Sequence, residues 1–227
     1  MEKRFSVTGL LAEFLGSMFL VVAAVSSRIF FVVRMESTGY IAIFANAITV
    51  AFALIVLIEI FGPISGAHFN PVVTLIVLLE RKLTAFNAFL FIFVQILGGI
   101  SGTILSHLMF FDDLGSLIAV SDNARNGSVF WGEIVGTFIL ILTILLLVKQ
   151  NSTKISIMVG LLVGSMIMAT SSTMFANPQV TIARIFTDTA SGIRPIDAAI
   201  FIIMQFIGAL SAYVVYKFVF SKKPLKK

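Results

Sequence analysis

Long apolar runs alternate with short polar punctuation along the chain, and the runs lack the period-two alternation of strands. Those near residues 8–27, 40–61, 85–110, 129–148, 155–174 and 196–220 are each about 20 residues or longer, enough for a helix to cross a bilayer. Two further apolar segments, residues 71–80 and 178–186, are only about ten residues long, and at about 1.5 Å per residue they reach halfway across. The pattern predicts an all-α integral membrane protein of six transmembrane helices plus two re-entrant half-helices. A membrane β-barrel would show alternation within each span and is excluded.

Both short segments open on Asn-Pro. The first lies in Ser65-Gly66-Ala67-His68-Phe69-Asn70-Pro71-Val72-Val73-Thr74-Leu75, and the second in Phe175-Ala176-Asn177-Pro178-Gln179-Val180-Thr181-Ile182-Ala183-Arg184. Seven Asn and five Pro in 227 residues would yield about 0.15 such pairs in random order, so two pairs are a signal. In each, a Val, a Thr and an aliphatic residue follow at the same positions: Val73-Thr74-Leu75 and Val180-Thr181-Ile182. Asn favours the N-cap and Pro the first helical position, so each pair starts a helix inside apolar surroundings.

The landmarks recur at similar offsets. Glu13, in Ala12-Glu13-Phe14-Leu15-Gly16-Ser17, answers Glu133, in Gly132-Glu133-Ile134-Val135-Gly136-Thr137, and Gln95 answers Gln205; the Glu, Asn and Gln offsets are 120, 107 and 110 residues. One domain over residues 1–227 is expected, with one repeat at about 8–110, a second at about 129–220, and residues 111–128 joining them. Three spans and one half-span per repeat make an odd number of crossings, so the second copy is inverted in the membrane. The half-helices then enter from opposite faces and bring their positive N-terminal ends together near the midplane. Such a centre repels cations, while the Asn70 and Asn177 amides are free to donate to a passing oxygen.

Composition agrees with a membrane protein: 59% hydrophobic, 12% charged and a mean hydropathy of +1.07, against about 25% charged in soluble domains. The net charge of +5 does not indicate nucleic acid, because the basic residues flank the apolar runs. With both termini cytoplasmic, eleven basic residues fall inside (Lys3, Arg4, Arg81, Lys82, Lys149, Lys154, Lys217, Lys222, Lys223, Lys226, Lys227) and five outside (Arg28, Arg34, Arg125, Arg184, Arg194), as the positive-inside rule favours. Cysteine is absent, which removes disulfides and thiolate sites. His68 has no second His nearby to complete a metal site, so no metal or cofactor is expected. Lys3-Arg4 before an apolar run also resembles a signal peptide, but that run carries Glu13 and has a counterpart later in the chain.

Taken together, Glu13 and Glu133, the Ser65–Pro71 stretch, Gln95, Asn177-Pro178 and Gln205, all in family order, resemble the aquaporin and aquaglyceroporin family, the major intrinsic proteins. The resemblance implies an aquaporin-like right-handed bundle. It also implies a passive pore for water or small neutral solutes, a homotetramer, and here a bacterial or archaeal plasma membrane. The family's triplet is Asn-Pro-Ala, whereas the third residues here are Val72 and Gln179. By family spacing, the filter falls at Val50, Ser165, Met174 and Val180, and Val180 stands where the family carries Arg. The resemblance therefore implies a wider, more apolar filter, with Arg184 at the outer mouth, and a solute of the glycerol or metalloid-hydroxide class such as arsenite, with water also admitted.

Several residues keep two readings. Glu13 and Glu133 either relay protons or brace the re-entrant loops by accepting backbone hydrogen bonds, and the brace fits their symmetry. Gln95, Gln205 and His68 are expected to brace loops or line the pore, with a pH gate at His68 as the alternative. His107 is expected to pack at an interface, and Glu59 either faces the inner vestibule or snorkels. No nucleophile and base are paired, so no enzyme is expected. The competing functions are a mainly water-conducting pore and an ion-coupled secondary transporter relying on Glu13, Glu59 or Glu133.

Overall fold

The computed structural model describes residues 6–221, and among them every regular element is helical. In chain order these are α1 Val7–Ile29, α2 Gly39–Ser65, α3 Pro71–Leu79, α4 Ala85–Met109, α5 Phe111–Leu114, α6 Val129–Lys149, α7 Ile155–Ala169, α8 Pro178–Ala183 and α9 Pro195–Val215. Wider turns continue α1 through Arg34 and α9 through Phe220, and a tighter turn, Arg184–Phe186, extends α8. The boundaries follow local chemistry. Ser6 and Thr84 cap α1 and α4 by accepting from the Gly9 and Asn87 amides, while Asn70-Pro71 and Asn177-Pro178 start α3 and α8. The α2 helix ends where Gly66 turns left-handed at φ 100°.

Among the described residues five helices are long and apolar enough to cross a membrane, and α7 is a shorter apolar helix of 15 residues. The expected fifth span, residues 155–174, is thus corrected: it stops at Ala169. Thr170 leaves the helix in an extended conformation, and its hydroxyl accepts from the Met174 amide (2.9 Å), which closes a turn. At about 1.5 Å per residue α7 spans roughly 22 Å, less than the hydrocarbon thickness of about 30 Å.

Contacts exchange under the correspondence of α1 with α6, α2 with α7, α3 with α8 and α4 with α9. Helix α1 packs on α2 and α4, α6 packs on α7 and α9, α2 meets α7, and each half-helix touches both α4 and α9. Two equivalent glycines set the closest approach. A Cβ on Gly98 of α4 would stand 2.3 Å from the Phe14 carbonyl oxygen of α1, and one on Gly208 of α9 would stand 2.5 Å from the Ile134 oxygen of α6. Small residues at such crossings let helices associate without a hydrophobic driving force between them.

The segment joining the halves is held down. Ala119 and Ser121 donate backbone bonds to Phe186 (3.1 Å) and Ile185 (2.9 Å), and Arg194 donates to Asn123 (2.9 Å). His107, expected at an interface, is buried instead: its Nδ1 lies 3.0 Å from the Ser116 oxygen and its Nε2 2.8 Å from the Thr187 hydroxyl, tying the end of α4 to both far-side loops.

Replacing Gly98 or Gly208 by Ala is expected to push its helix pair apart at a destabilisation of about 1–3 kcal/mol, as overpacking does. Gly39→Ala, with nothing within 4 Å of the new Cβ, serves as the neutral comparison. Melting curves in detergent check this; equal midpoints for all three variants would refute the close-packing account.

Candidate functional site

The loops that precede the half-helices run through backbone that side chains rarely adopt. Gly66, Ala67 and Phe69 have φ of 100°, 50° and 46°, and the residues 107 positions on, Thr173, Met174 and Ala176, have φ of 60°, 40° and 45°. Each non-glycine residue in this region costs about 1–2 kcal/mol. A buried carboxylate on the neighbouring helix offsets that cost. Glu13 accepts from the amides of His68 (2.9 Å) and Phe69 (2.8 Å), from the Ser65 hydroxyl (2.6 Å) and from the Gln95 amide (2.8 Å). Glu133 accepts from the amides of Phe175 (2.9 Å) and Ala176 (2.8 Å) and from Gln205 (2.6 Å).

Each glutamine then donates onward, Gln95 to Thr74 (3.0 Å) and Gln205 to Thr181 (2.8 Å), so the helix holding the glutamine, the loop and the half-helix share one network. The two halves interlock at their caps. Asn70 Nδ2 donates to the Ala176 oxygen (2.9 Å) and Asn177 Nδ2 to the Phe69 oxygen (2.8 Å), while each Oδ1 caps its own helix by accepting from Val72 (3.0 Å) or Gln179 (3.2 Å). An Asn amide nitrogen carries two hydrogens, so each retains one for a ligand. Both Asn residues border the central cavity. Val72 and Gln179 do not: Val72 is fully buried, and Gln179 donates to the Phe69 oxygen (3.2 Å) with its Oε1 held where a Cβ on Gly99 would be.

A cavity of about 570 Å³ runs between the repeats. It is bordered at the near side, where α1 begins, by Ser6, Lys82 and Asn87, at the middle by Asn70 and Asn177, and at the far side by Ala24, Asn46 and Arg184. Its apolar wall has helical period. Asn46, Val50, Leu54 and Ile58 of α2 face it, as do Ile155, Val159, Val163 and Ile167 of α7, each set spaced by four residues.

Val50, Met174 and Val180 border this cavity, but Ser165 does not. Ser165 is exposed on the outside of the bundle, with its hydroxyl bonded to the Leu162 oxygen (2.8 Å). Two residues along a helix turn the side chain by about 200°, so if Val163 and Ile167 face inward Ser165 faces away. Ile167, ten residues before Asn177 and one turn along from Val163, borders the cavity on the face from which Ser165 is turned away.

Arg184, expected at an outer mouth, is only 6% exposed and borders the same cavity one turn beyond Val180. Its Nε donates to the Ser191 oxygen, and its Cζ sits 3.6 Å above the Phe175 ring. Arg28 and Arg125 donate to the flanking carbonyls, Ala190 (3.0 Å) and Gly192 (3.4 Å). Burial lowers the pKa of Arg125 from its usual value, opposed by the nearby Glu133 and Asp197 carboxylates. None of the three arginines is ion-paired among the described residues.

His68 is half-buried at the near side, its Nδ1 3.1 Å from the Thr74 hydroxyl and its ring edge-on to Phe91. Glu59 lies outside the cavity, exposed on α2, and accepts from the Ser156 hydroxyl (2.5 Å). The residues of the candidate site that the sequence reading gave no role are Asn46 and Ile167, which border the cavity, and Thr74 and Thr181, which accept from the glutamines. The threonines carried a signal, their repetition after Asn-Pro. Asn46 carried a weaker one, a lone amide within an apolar run one turn before Val50.

The chain matches the family described as Major intrinsic protein over residues 2–176. It is 41% identical to the aquaglyceroporin AqpS of Rhizobium meliloti over 202 residues, covering 88% of this chain and 85% of that one. Bovine Aquaporin-1 is 28% identical over 237 residues, with 98% and 85% coverage. In fold it is similar to the aquaglyceroporin from Plasmodium falciparum, at a TM-score of 0.73 and 20% identity, covering 95% and 97% of the two chains.

Glu133→Gln turns an amide hydrogen toward groups that themselves donate, leaving Ala176, Phe175 or Gln205 unpaired. A loss of about 1.5–3 kcal/mol is expected, the worth of hydrogen bonds to a charged group. Thermal melting of the detergent-solubilised protein measures it. A variant as stable as wild type, with flux altered only in its pH dependence, would instead support a proton relay.

Proposed function

Since the chain belongs to the major intrinsic protein family, we propose that the cavity passing Asn70 and Asn177 is its conduction path and that the path is wide and apolar on the far side. The protein is a passive membrane channel for water and small uncharged solutes such as glycerol, and not an enzyme. The observation that carries the proposal is that Val180 borders the cavity, as do Val50, Ile167 and Met174, so that these four wall positions offer no polar side chain; we take them as one apolar ring. An apolar ring of this kind admits solutes by size and sheds water-bound ions. Metalloid hydroxides such as arsenite, small and uncharged, fall in the class it would pass.

Solute oxygens replace lost hydration at the midplane by accepting from the Asn70 and Asn177 amides, while Glu13, Glu133, Gln95 and Gln205 hold the loops. Both oxygens of Glu13 and of Glu133 are engaged by loop and glutamine donors and Glu59 stands outside the cavity, which argues against an ion-coupled transporter. The mainly water-conducting reading draws on one observation, the Arg184 side chain in the same cavity. The near face is taken as cytoplasmic from the distribution of basic residues. Phe44, Ile48, Phe52, Val56 and Ile60 form an exposed stripe along α2 that suits a neighbouring protomer in a homotetramer.

Two measurements test this reading. Liposomes containing the protein should take up glycerol faster than protein-free liposomes, and Val180→Arg should suppress glycerol flux more than water flux; glycerol flux unchanged in the variant would remove Val180 from the filter. The particle in mild detergent should weigh four times the 24.7 kDa chain, and a monomer mass would refute the tetramer.

A further inference from the structure

Beyond the apolar ring lies a polar layer. Asn46 is one helical turn outward of Val50 on α2, and Arg184 is one turn outward of Val180, so both project from the faces that already line the path. They converge on one junction. Asn46 Nδ2 donates to the Ala24 oxygen (2.9 Å) and to the Ser27 hydroxyl (2.8 Å); the Ser191 hydroxyl donates to that same Ala24 oxygen (3.3 Å); and the Ser191 carbonyl accepts Arg184 Nε.

These bonds fix which atoms are left over. Both hydrogens of the Asn46 amide are used, so its Oδ1, which accepts from no group among the described residues, is the atom available to the cavity. Arg184 uses Nε alone, and its two terminal nitrogens donate to nothing among the described residues. A guanidinium this buried, without a carboxylate partner, carries a desolvation cost that only further hydrogen bonding relieves. Phe175 stacked on Arg184 and the Ser191 carbonyl hold the plane of the group in place, and its terminal nitrogens have no acceptor among the described residues.

We propose that Arg184 and Asn46 form a recognition layer for polyhydroxylated neutral solutes, Arg184 donating to solute oxygens and Asn46 Oδ1 accepting a solute hydroxyl. This rests on the conduction path proposed above and adds what the apolar ring lacks, a means of preferring solutes that carry several hydroxyls. A hydroxyl both donates and accepts, so a solute with two or more of them engages the two residues at once. A solute lacking one hydroxyl leaves a desolvated group unpaired, and that mismatch is what discriminates.

The test compares glycerol with 1,3-propanediol, nearly the same size but one hydroxyl poorer, in liposomes, with flux through protein-free vesicles subtracted and rates normalised to reconstituted protein. Asn46→Leu is expected to lower the glycerol-to-propanediol ratio about fivefold and Arg184→Met about tenfold or more, the charge-assisted bond being the stronger. Arg184→Lys, which keeps a cationic donor, should restore part of what Arg184→Met loses. If either Asn46→Leu or Arg184→Met fails to assemble, the other variant and Arg184→Lys decide. Ratios within about twofold of wild type, with glycerol flux intact, overturn the recognition layer alone. Wild-type glycerol flux no faster than in protein-free vesicles overturns the proposed conduction path, and the layer with it.

Discussion

Backbone that leaves the helix inside a membrane must have every amide and carbonyl satisfied within the protein, and the rest of this structure follows from meeting that requirement twice. The chain meets it with two buried glutamates. Each takes consecutive loop amides into its carboxylate, His68 and Phe69 in one repeat, Phe175 and Ala176 in the other. A charged acceptor is suited to this work because its two oxygens receive several donors at once and each bond is stronger than a neutral one. The left-handed residues at Ala67, Phe69, Met174 and Ala176 are tolerated because these bonds over-determine their conformation.

Once the loops are held, the two half-helices lock through each other's carbonyls, Asn70 to Ala176 and Asn177 to Phe69. The cross-over fixes both Asn side chains with one hydrogen each to spare at the cavity. It also explains why the third residues of the two triplets are free to differ from alanine. Val72 and Gln179 are buried in the packing between helices, where Gly99 makes room for the Gln179 amide, and neither borders the cavity.

The path itself is written in fours. Asn46, Val50, Leu54 and Ile58 on one helix, and Ile155, Val159, Val163 and Ile167 on its counterpart, turn one face inward, while Phe44, Ile48, Phe52, Val56 and Ile60 turn outward. A uniformly apolar helix buries no single face by hydrophobicity alone, so inward and outward sets look alike in composition. Ser165, chosen by counting back from Asn177, lies on the outward face because the count crosses the non-helical connection after Ala169, where a residue number no longer fixes a direction around the helix.

Local order along the chain was enough for the architecture. Apolar length separates spans from half-spans, Asn-Pro marks helix starts because of cap chemistry, and the recurrence of Glu13, Asn70 and Gln95 as Glu133, Asn177 and Gln205 carries the inverted repeat. The first two depend on neighbours within a few residues, and the third on order along the chain alone. The tertiary structure alone decided which side chains meet: Ile167 in place of Ser165 at the cavity, Gln179 turned away from it, Asn46 and Arg184 brought to one junction through Ala24 and Ser191. Rotation about a helix axis and closure of a loop are set by packing partners on other elements, 110 residues away for Gln179 and Phe69 and 167 for Ser191 and Ala24, and no local pattern encodes them.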